Sequence, residues 1–264
     1  MDSSTKENQR ITGSSVLPFA IDPQWNCIYF LLAQERVVPG WSSGSQTWSD
    51  FGGAAQRPCD TAYETAGREF VEESMGLIRF SPGDSVPYES HAPVSRALSA
   101  GEFALSVTFT MRSKSTRYIT FLKQIDFDRH AMHKHEITFC ALRDKGDGKT
   151  TTVRHPLLSR TGTVPDSFLE KTAIRWWSVP QLYSAMRRAR GNNERLRSSF
   201  ANRLRVILKE FPKDGRIQSN GPRWEHVFPI TTYHNPSVYK TGPRAAKTDN
   251  NDDGNVLELQ HCRE

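Results

Sequence analysis

Cysteine is sparse and scattered. Cys27, Cys59, Cys140 and Cys262 are the only four in 264 residues, and none forms a C-x-x-C pair, so neither a disulfide framework nor a zinc knuckle is indicated. Reduced thiols in a cytoplasmic or nuclear protein are the expectation. Long apolar runs are also missing. The longest, Cys27 to Ala33, falls far short of the roughly 20 residues that span a bilayer, and the polar first dozen residues lack the apolar segment of a secretion signal. No membrane partner is expected. No internal repeat is present. Large apolar residues are few in residues 1–13 and again from about 231 onward, where Ser, Asn, Asp, Lys and Gly dominate. One domain is therefore expected over residues 14–211, between a disordered N-terminal segment (1–13) and a mostly irregular C-terminal tail (212–264).

Acidic residues are in the minority, 29 against 35 Lys and Arg, giving a formal net charge of +6. An anionic partner fits that balance, but composition alone does not separate RNA from a small polyphosphate. The excess is local. Between Arg187 and Lys209, Arg187, Arg188, Arg190, Arg195, Arg197, Arg203, Arg205 and Lys209 face only Glu194. This stretch is a candidate polyanion-binding segment, with RNA favoured.

Hydrophobic patterning supplies the element order. Val16 to Ile21 and Cys27 to Ala33 read as strands joined by the Asp22-Pro23 turn, and Phe103 to Met111, Tyr118 to Ile125, Ile137 to Leu142 and Thr172 to Trp177 read as further strands. Trp176 and Trp177, adjacent in the last, would point to opposite faces. Ser178 with Gln181 resembles a capping box, and Leu196, Phe200, Leu204, Ile207 and Phe211 predict a helix over Asn193 to Phe211. Ser81 to Gly101 and Asp144 to Asp166 read as long loops. The order implies an α/β fold with a mixed sheet between helices. His130, His133 and His135 near Glu136 match no zinc spacing, and Trp41 and Trp48 are minor candidates for base stacking.

The informative segment runs from Trp48-Ser49-Asp50-Phe51-Gly52-Gly53 to Asp60–Gly76, DTAYETAGREFVEESMG. Thr61 with Glu64 predicts a capping box, and nothing breaks a helix before Gly76. Ala62, Ala66 and Phe70 would face a core, while Glu69, Glu72 and Glu73 share another face at i, i+3 and i+4. Like charges roughly 6 Å apart repel by about 3 kcal/mol per pair at an effective dielectric constant near 20. A divalent cation reverses that sign. Carboxylate oxygens suit Mg²⁺ or Mn²⁺, whose coordination is commonly completed by phosphate oxygens. Arg68 is spaced to hold Glu64 or Glu72, and Gly52-Gly53 would let the preceding loop approach a phosphate.

Arg68-Glu69-Phe70-Val71-Glu72-Glu73 resembles the core of the Nudix box: Gly, five residues, Glu, seven residues, Arg-Glu, an aliphatic residue, any residue, Glu-Glu, any residue, Gly, aliphatic. Asp60 stands at the first Glu, six residues separate it from Gly53, and Ser74-Met75 precede Gly76. The resemblance implies a Nudix-type α/β/α sandwich in which Glu69, Glu72 and Glu73 bind Mg²⁺ or Mn²⁺ and Arg68 orients one of them. Family members often supply a further carboxylate from a late loop, for which Glu170 is the candidate. The implied activity is metal-dependent hydrolysis of a diphosphate linkage in a nucleotide-like or capped-RNA substrate. The alternative is a catalytically inactive Nudix-fold module binding RNA or a protein partner.

Overall fold

Strands β1 (Arg10–Asp22) and β2 (Cys27–Glu35) form the expected hairpin, with Phe19 opposite Phe30 and Asp22 opposite Cys27. The computed structural model describes residues 10–57, 60–111, 116–146, 165–187, 195–216, 233–234 and 255–260. The sheet is built outward from β1. On one side β1 runs parallel to β6 (Thr116–Gln124), and on the other it pairs antiparallel with β2 and with β4 (Phe51–Ala54). β3 (Trp48–Ser49) and β7 (Lys171–Ser178) both pair with β2, and β5 (Leu105–Met111) lies beyond β6. β9 (Asn255–Gln260) and β8 (Tyr233–His234) continue that edge. With one parallel pairing among antiparallel ones, the sheet is mixed.

Both of its faces are covered, which is why these strands read as near-continuous apolar runs. On one face Leu17, Phe19, Phe30, Leu32 and Trp177 pack with Leu182, Phe200 and Leu204 of α4 (Val179–Arg187) and α5 (Ser198–Ile207). On the other, Val16, Ala20, Leu31, Ala33 and Trp176 pack with Ala66, Phe70, Val94 and Leu98 of α1 (Ala62–Glu73) and α2 (Ala92–Ser99). Each fully buried Leu or Phe contributes about 1.5–3 kcal/mol. Trp176 and Trp177 do lie on opposite faces, and the architecture is an α/β/α sandwich. No helix among the described residues is long and apolar enough to cross a membrane.

Several expectations need correction. Ile137 to Leu142 is not a strand but part of α3 (His130–Gly146), because Ala131, His135, Thr138, Phe139 and Leu142 make a buried stripe of helical period. The Ser81 to Gly101 loop contains α2, opened by Pro93 in its first turn. The late helix begins at Ser198 rather than Asn193 and gives way to a 3₁₀ turn over Leu208–Glu210. β1 begins at Arg10, inside the segment read as irregular, and pairs there with Thr116. β8 and β9 likewise fall in the stretch read as a tail. The Ser178–Gln181 box is present: the Ser178 N–H donates to Gln181 Oε1 at 2.8 Å and the Gln181 N–H to Ser178 Oγ at 3.4 Å.

Candidate active site

The carboxylate-bearing helix α1 is fixed at both ends. At its start Thr61 Oγ1 accepts the Glu64 N–H at 3.1 Å and Glu64 Oε2 accepts the Thr61 N–H at 2.9 Å. At its end the Gly76 N–H reaches the Val71 carbonyl at 2.7 Å and the Met75 N–H that of Glu72 at 3.0 Å, the paired bonds of a Schellman stop. Met75 has φ +55°. It stands where the box pattern has its glycine, so the departure is a substitution at an unchanged turn rather than an added residue. The left-handed backbone costs about 1–2 kcal/mol. Burial of the Met75 side chain against Phe139 and Leu142 offsets it. Asp60 lies outside the carboxylate group; its Oδ2 accepts the N–H groups of Gln56 and Arg57 and closes the loop before the helix.

The three glutamates do not share one environment. Arg68 forks between Glu69 (2.7 Å) and Glu72 (3.1 Å) and also donates to the Ala54 carbonyl at 3.0 Å. The Glu69 carboxylate lies against Gly53, where a Cβ would come within 2.5 Å of Oε1. Only glycine leaves that space open. Burial raises the pKa of Glu69 and Glu72 against the pull of Arg68, and the Glu170 carboxylate raises both further. Glu170 follows the 3₁₀ turn Asp166–Leu169 and precedes β7, so the late loop does bring its charge to this surface.

Glu73 differs. Its position in the box predicts a side chain facing solvent or substrate, but it is 3% exposed, because the register of α1 turns it under β4 and β7. Its Oε2 accepts the Gly52 N–H at 2.7 Å and its Oε1 meets Lys171 Nζ at 2.9 Å. Lys171 also reaches Glu35 at 2.6 Å and Ser49 Oγ at 3.4 Å. Burial and the Glu35 and Glu69 carboxylates raise Glu73 despite Lys171. For Lys171, burial opposes the charge but Glu73 and Glu35 outweigh it and raise its pKa. We take Lys171 as charged, since its ammonium touches two carboxylates.

The basic stretch is divided by the fold. Arg203 is buried and grips both Asp50 oxygens, at 2.9 and 3.0 Å, with its guanidinium 4.3 Å from the Tyr118 ring centre. Arg197 meets Glu35 at 3.4 Å and lies over Trp41, and Arg195 donates to the Ser42 and Ser45 carbonyls. Arg203 is therefore not free for an extended polyanion, whereas Arg195 is exposed and Arg197 partly so. Arg187, Arg205 and Lys209 are exposed, while Arg188 and Arg190 lie outside the described residues. Trp48 is a core residue, 5.4 Å edge-on to Trp177, and Trp41 carries Arg197 on its ring, so neither offers a free stacking face.

Sequence reasoning missed Glu35 and Lys171, isolated charges in or at the start of strands, and gave no inward role to Asp50 or to Arg203, which it read as a polyanion contact.

No protein-family model and no curated protein matches the chain. Solved structures do. The Nudix domain of Shewanella oneidensis NrtR, complexed with ADP ribose, is 10% identical over 75% of this chain and 88% of its own, with a TM-score of 0.34. A Caenorhabditis elegans Ap4A hydrolase is 12% identical over 76% and 99%, TM-score 0.34, and a Nudix hydrolase from Alicyclobacillus acidocaldarius 13% over 76% and 93%, TM-score 0.36. Likeness this distant carries no chemistry over, and the site stands on its own residues.

Among the described residues no three His, Cys, Asp or Glu side chains are gathered tightly enough to hold a metal ion. In donor chemistry Glu69, Glu72 and Glu170 suit a hard divalent cation: all are carboxylates, their charges repel, and a glycine keeps the space at Glu69 clear. Glu73, with both oxygens already engaged, does not fit that role.

Proposed function

We propose that this chain is a Nudix-type pyrophosphohydrolase that cleaves a diphosphate linkage with Mg²⁺ or Mn²⁺. The observation that carries the proposal is the repulsion among Glu69, Glu72 and Glu170: burial and then the Glu170 charge raise the pKa of Glu69 and Glu72 beside a glycine loop. Such crowding is costly without a cation. Glu69, Glu72 and Glu170 would hold the metal, which when bound neutralises the diphosphate and lowers the pKa of an attacking water. The chain's own groups set the stage. Arg68 holds two carboxylates in one fork, Gly52 fixes Glu73 through its N–H, and Gly53 leaves room over Glu69.

The experiment is turnover of a panel in Mg²⁺ or Mn²⁺, with products identified by mass spectrometry. The panel is capped RNA, a nucleoside diphosphate derivative, a dinucleoside polyphosphate and a diphosphoinositol compound. Glu69→Gln is expected to lower kcat at least 100-fold on the best substrate while leaving the unfolding midpoint unchanged or higher. Wild-type protein that cleaves none of the four overturns the proposal.

One observation favours a second reading, a non-catalytic module: the described carboxylates are not gathered into a metal cage and Arg68 occupies the fork between two of them. That reading predicts ligand binding without metal-dependent products.

A further inference from the structure

We infer that the Lys171 ammonium is the resident cation of an inner carboxylate pair, Glu35 and Glu73, and closes that pair to divalent metal, so that metal is confined to the outer carboxylates Glu69, Glu72 and Glu170. The inference rests on the metal-dependent reading above for its outer half. Its inner half rests on contacts already made.

Lys171 Nζ lies 2.6 Å from Glu35 Oε1, 2.9 Å from Glu73 Oε1 and 3.4 Å from Ser49 Oγ. An ammonium has three donors, and these contacts use all of them. Three of the four carboxylate oxygens are engaged as well. Glu73 Oε2 takes the Gly52 N–H at 2.7 Å, and Glu35 Oε1 also accepts Ser49 Oγ at 3.0 Å and Arg197 Nη1 at 3.4 Å. The side chains of Lys171, Glu35 and Glu73 are 1%, 7% and 3% exposed. A Mg²⁺ ion sits about 2.1 Å from each ligand oxygen and keeps several waters, so it would need the volume the ammonium fills and a hydration shell among side chains that are almost fully buried. Admitting it means expelling a buried lysine into a place without a counter-ion, which low-dielectric surroundings penalise heavily.

The outer carboxylates differ in their partners and, apart from the buried Glu69, in exposure. Glu69 and Glu72 share a single arginine from their own helix, Glu72 is 20% exposed at its side chain, and Glu170 is half-buried. Glu170 ends the 3₁₀ turn before β7 with helical backbone and Lys171 is the first residue of the strand, so two consecutive residues supply a half-buried carboxylate and a buried cation. The third glutamate of the helix then acts as a positioning residue: through Gly52 and Lys171 it ties α1 to β4, β2 and β7.

Lys171→Met keeps the length and removes the charge. Bound Mn²⁺ per chain, counted by electron paramagnetic resonance of the free ion, is the readout, alongside the thermal midpoint with and without Mn²⁺. Lys171→Met is expected to gain one Mn²⁺ per chain over wild type and to show a lowered midpoint that Mn²⁺ restores. Glu73→Gln in the wild-type background is expected to keep the wild-type Mn²⁺ count, whereas Glu69→Gln lowers it. A Lys171→Met protein that folds with the wild-type count, or a loss of Mn²⁺ in Glu73→Gln, overturns the inference. Should Lys171→Met not fold, anomalous scattering from Mn²⁺-soaked wild-type crystals decides: metal beside Glu69 or Glu170 alone supports it, and metal bonded to Glu73 refutes it. The two proposals fail separately. Wild type that binds Mn²⁺ on the outer carboxylates yet cleaves no diphosphate sinks the hydrolase and leaves Lys171's role standing.

Discussion

At the residue scale, the same charge means different things at different depths. Arg203 and Arg205 sit two residues apart on α5, yet Arg203 is buried on Asp50 while Arg205 is exposed and bonds Asn202 on its own helix. Ser15 and Thr120 also donate to the Asp50 carboxylate, at 2.6 and 3.3 Å, so removing the arginine strands a buried anion that hydroxyls alone must satisfy. Breaking such a pair costs about 3–5 kcal/mol, whereas an exposed substitution stays within about 0.5 kcal/mol. Arg203→Gln is accordingly expected to lose several kcal/mol in urea unfolding and Arg205→Gln to unfold like wild type. Equal midpoints for the two would show that the Asp50 pair contributes little. Glu73→Gln is expected in between, losing about 1–3 kcal/mol, because Lys171 keeps Glu35 as its counter-ion. None of this depth was legible in the sequence. Period and spacing tell which face of a helix a residue occupies, but Arg203 and Asp50 meet across 153 positions, and only the packed sheet brings them together.

At the element scale, α1 was legible and α3 was not, for reasons visible in their residues. α1 announces itself through a capping box, alanines every fourth residue and an acidic face, so Thr61→Ala should cost about 1 kcal/mol. α3 carries Ile137, Thr138 and Phe139, residues that favour strands, and its helical stripe includes a histidine that reads as polar. That histidine, His135, is fully buried, and burial lowers its pKa to about 4 while a backbone contact from Glu73 opposes the shift. The unfolded chain, with the ordinary value of 6.5, therefore takes up a proton first on acidification. Stability from this group is full above pH 6.5 and is lost as pH falls toward 4, by about 3 kcal/mol across the window. Glu69 and Glu72, with raised pKa values, act in the opposite sense, so the comparison must be with a variant. His135→Leu is expected to match or exceed wild-type stability at pH 7.5 and to fall less steeply between pH 6.5 and 4.5 in urea titrations. Parallel pH slopes for the two proteins would dismiss the buried imidazole as the source.

At the scale of the whole molecule, composition overstated the surface. A net charge of +6, with eight basic residues against Glu194 between Arg187 and Lys209, marked that stretch as a polyanion-binding candidate. Folding divides that segment. α4 ends at Arg187, α5 starts at Ser198, and Arg195, Arg197 and Arg203 close a loop, an inner ion pair and a core carboxylate. A test that replaced Arg195, Arg197, Arg203 and Arg205 together would therefore confound binding with stability. Arg195 is exposed too but holds the Ser42 and Ser45 carbonyls, so Arg187, Arg205 and Lys209 are the exposed residues whose replacement leaves that loop untouched. Every phosphate of a single strand that a basic side chain ceases to neutralise flattens the salt slope of log K by about 0.7. The triple variant Arg187→Gln, Arg205→Gln and Lys209→Gln is thus expected to flatten the slope for single-stranded RNA by about two units, with the unfolding midpoint and turnover of a small diphosphate unchanged. Binding would be followed by fluorescence anisotropy between about 50 and 300 mM salt, the range over which counterion release dominates. A slope that does not move removes the polyanion role from this face. A drop in small-substrate turnover instead would move these side chains to the diphosphate itself.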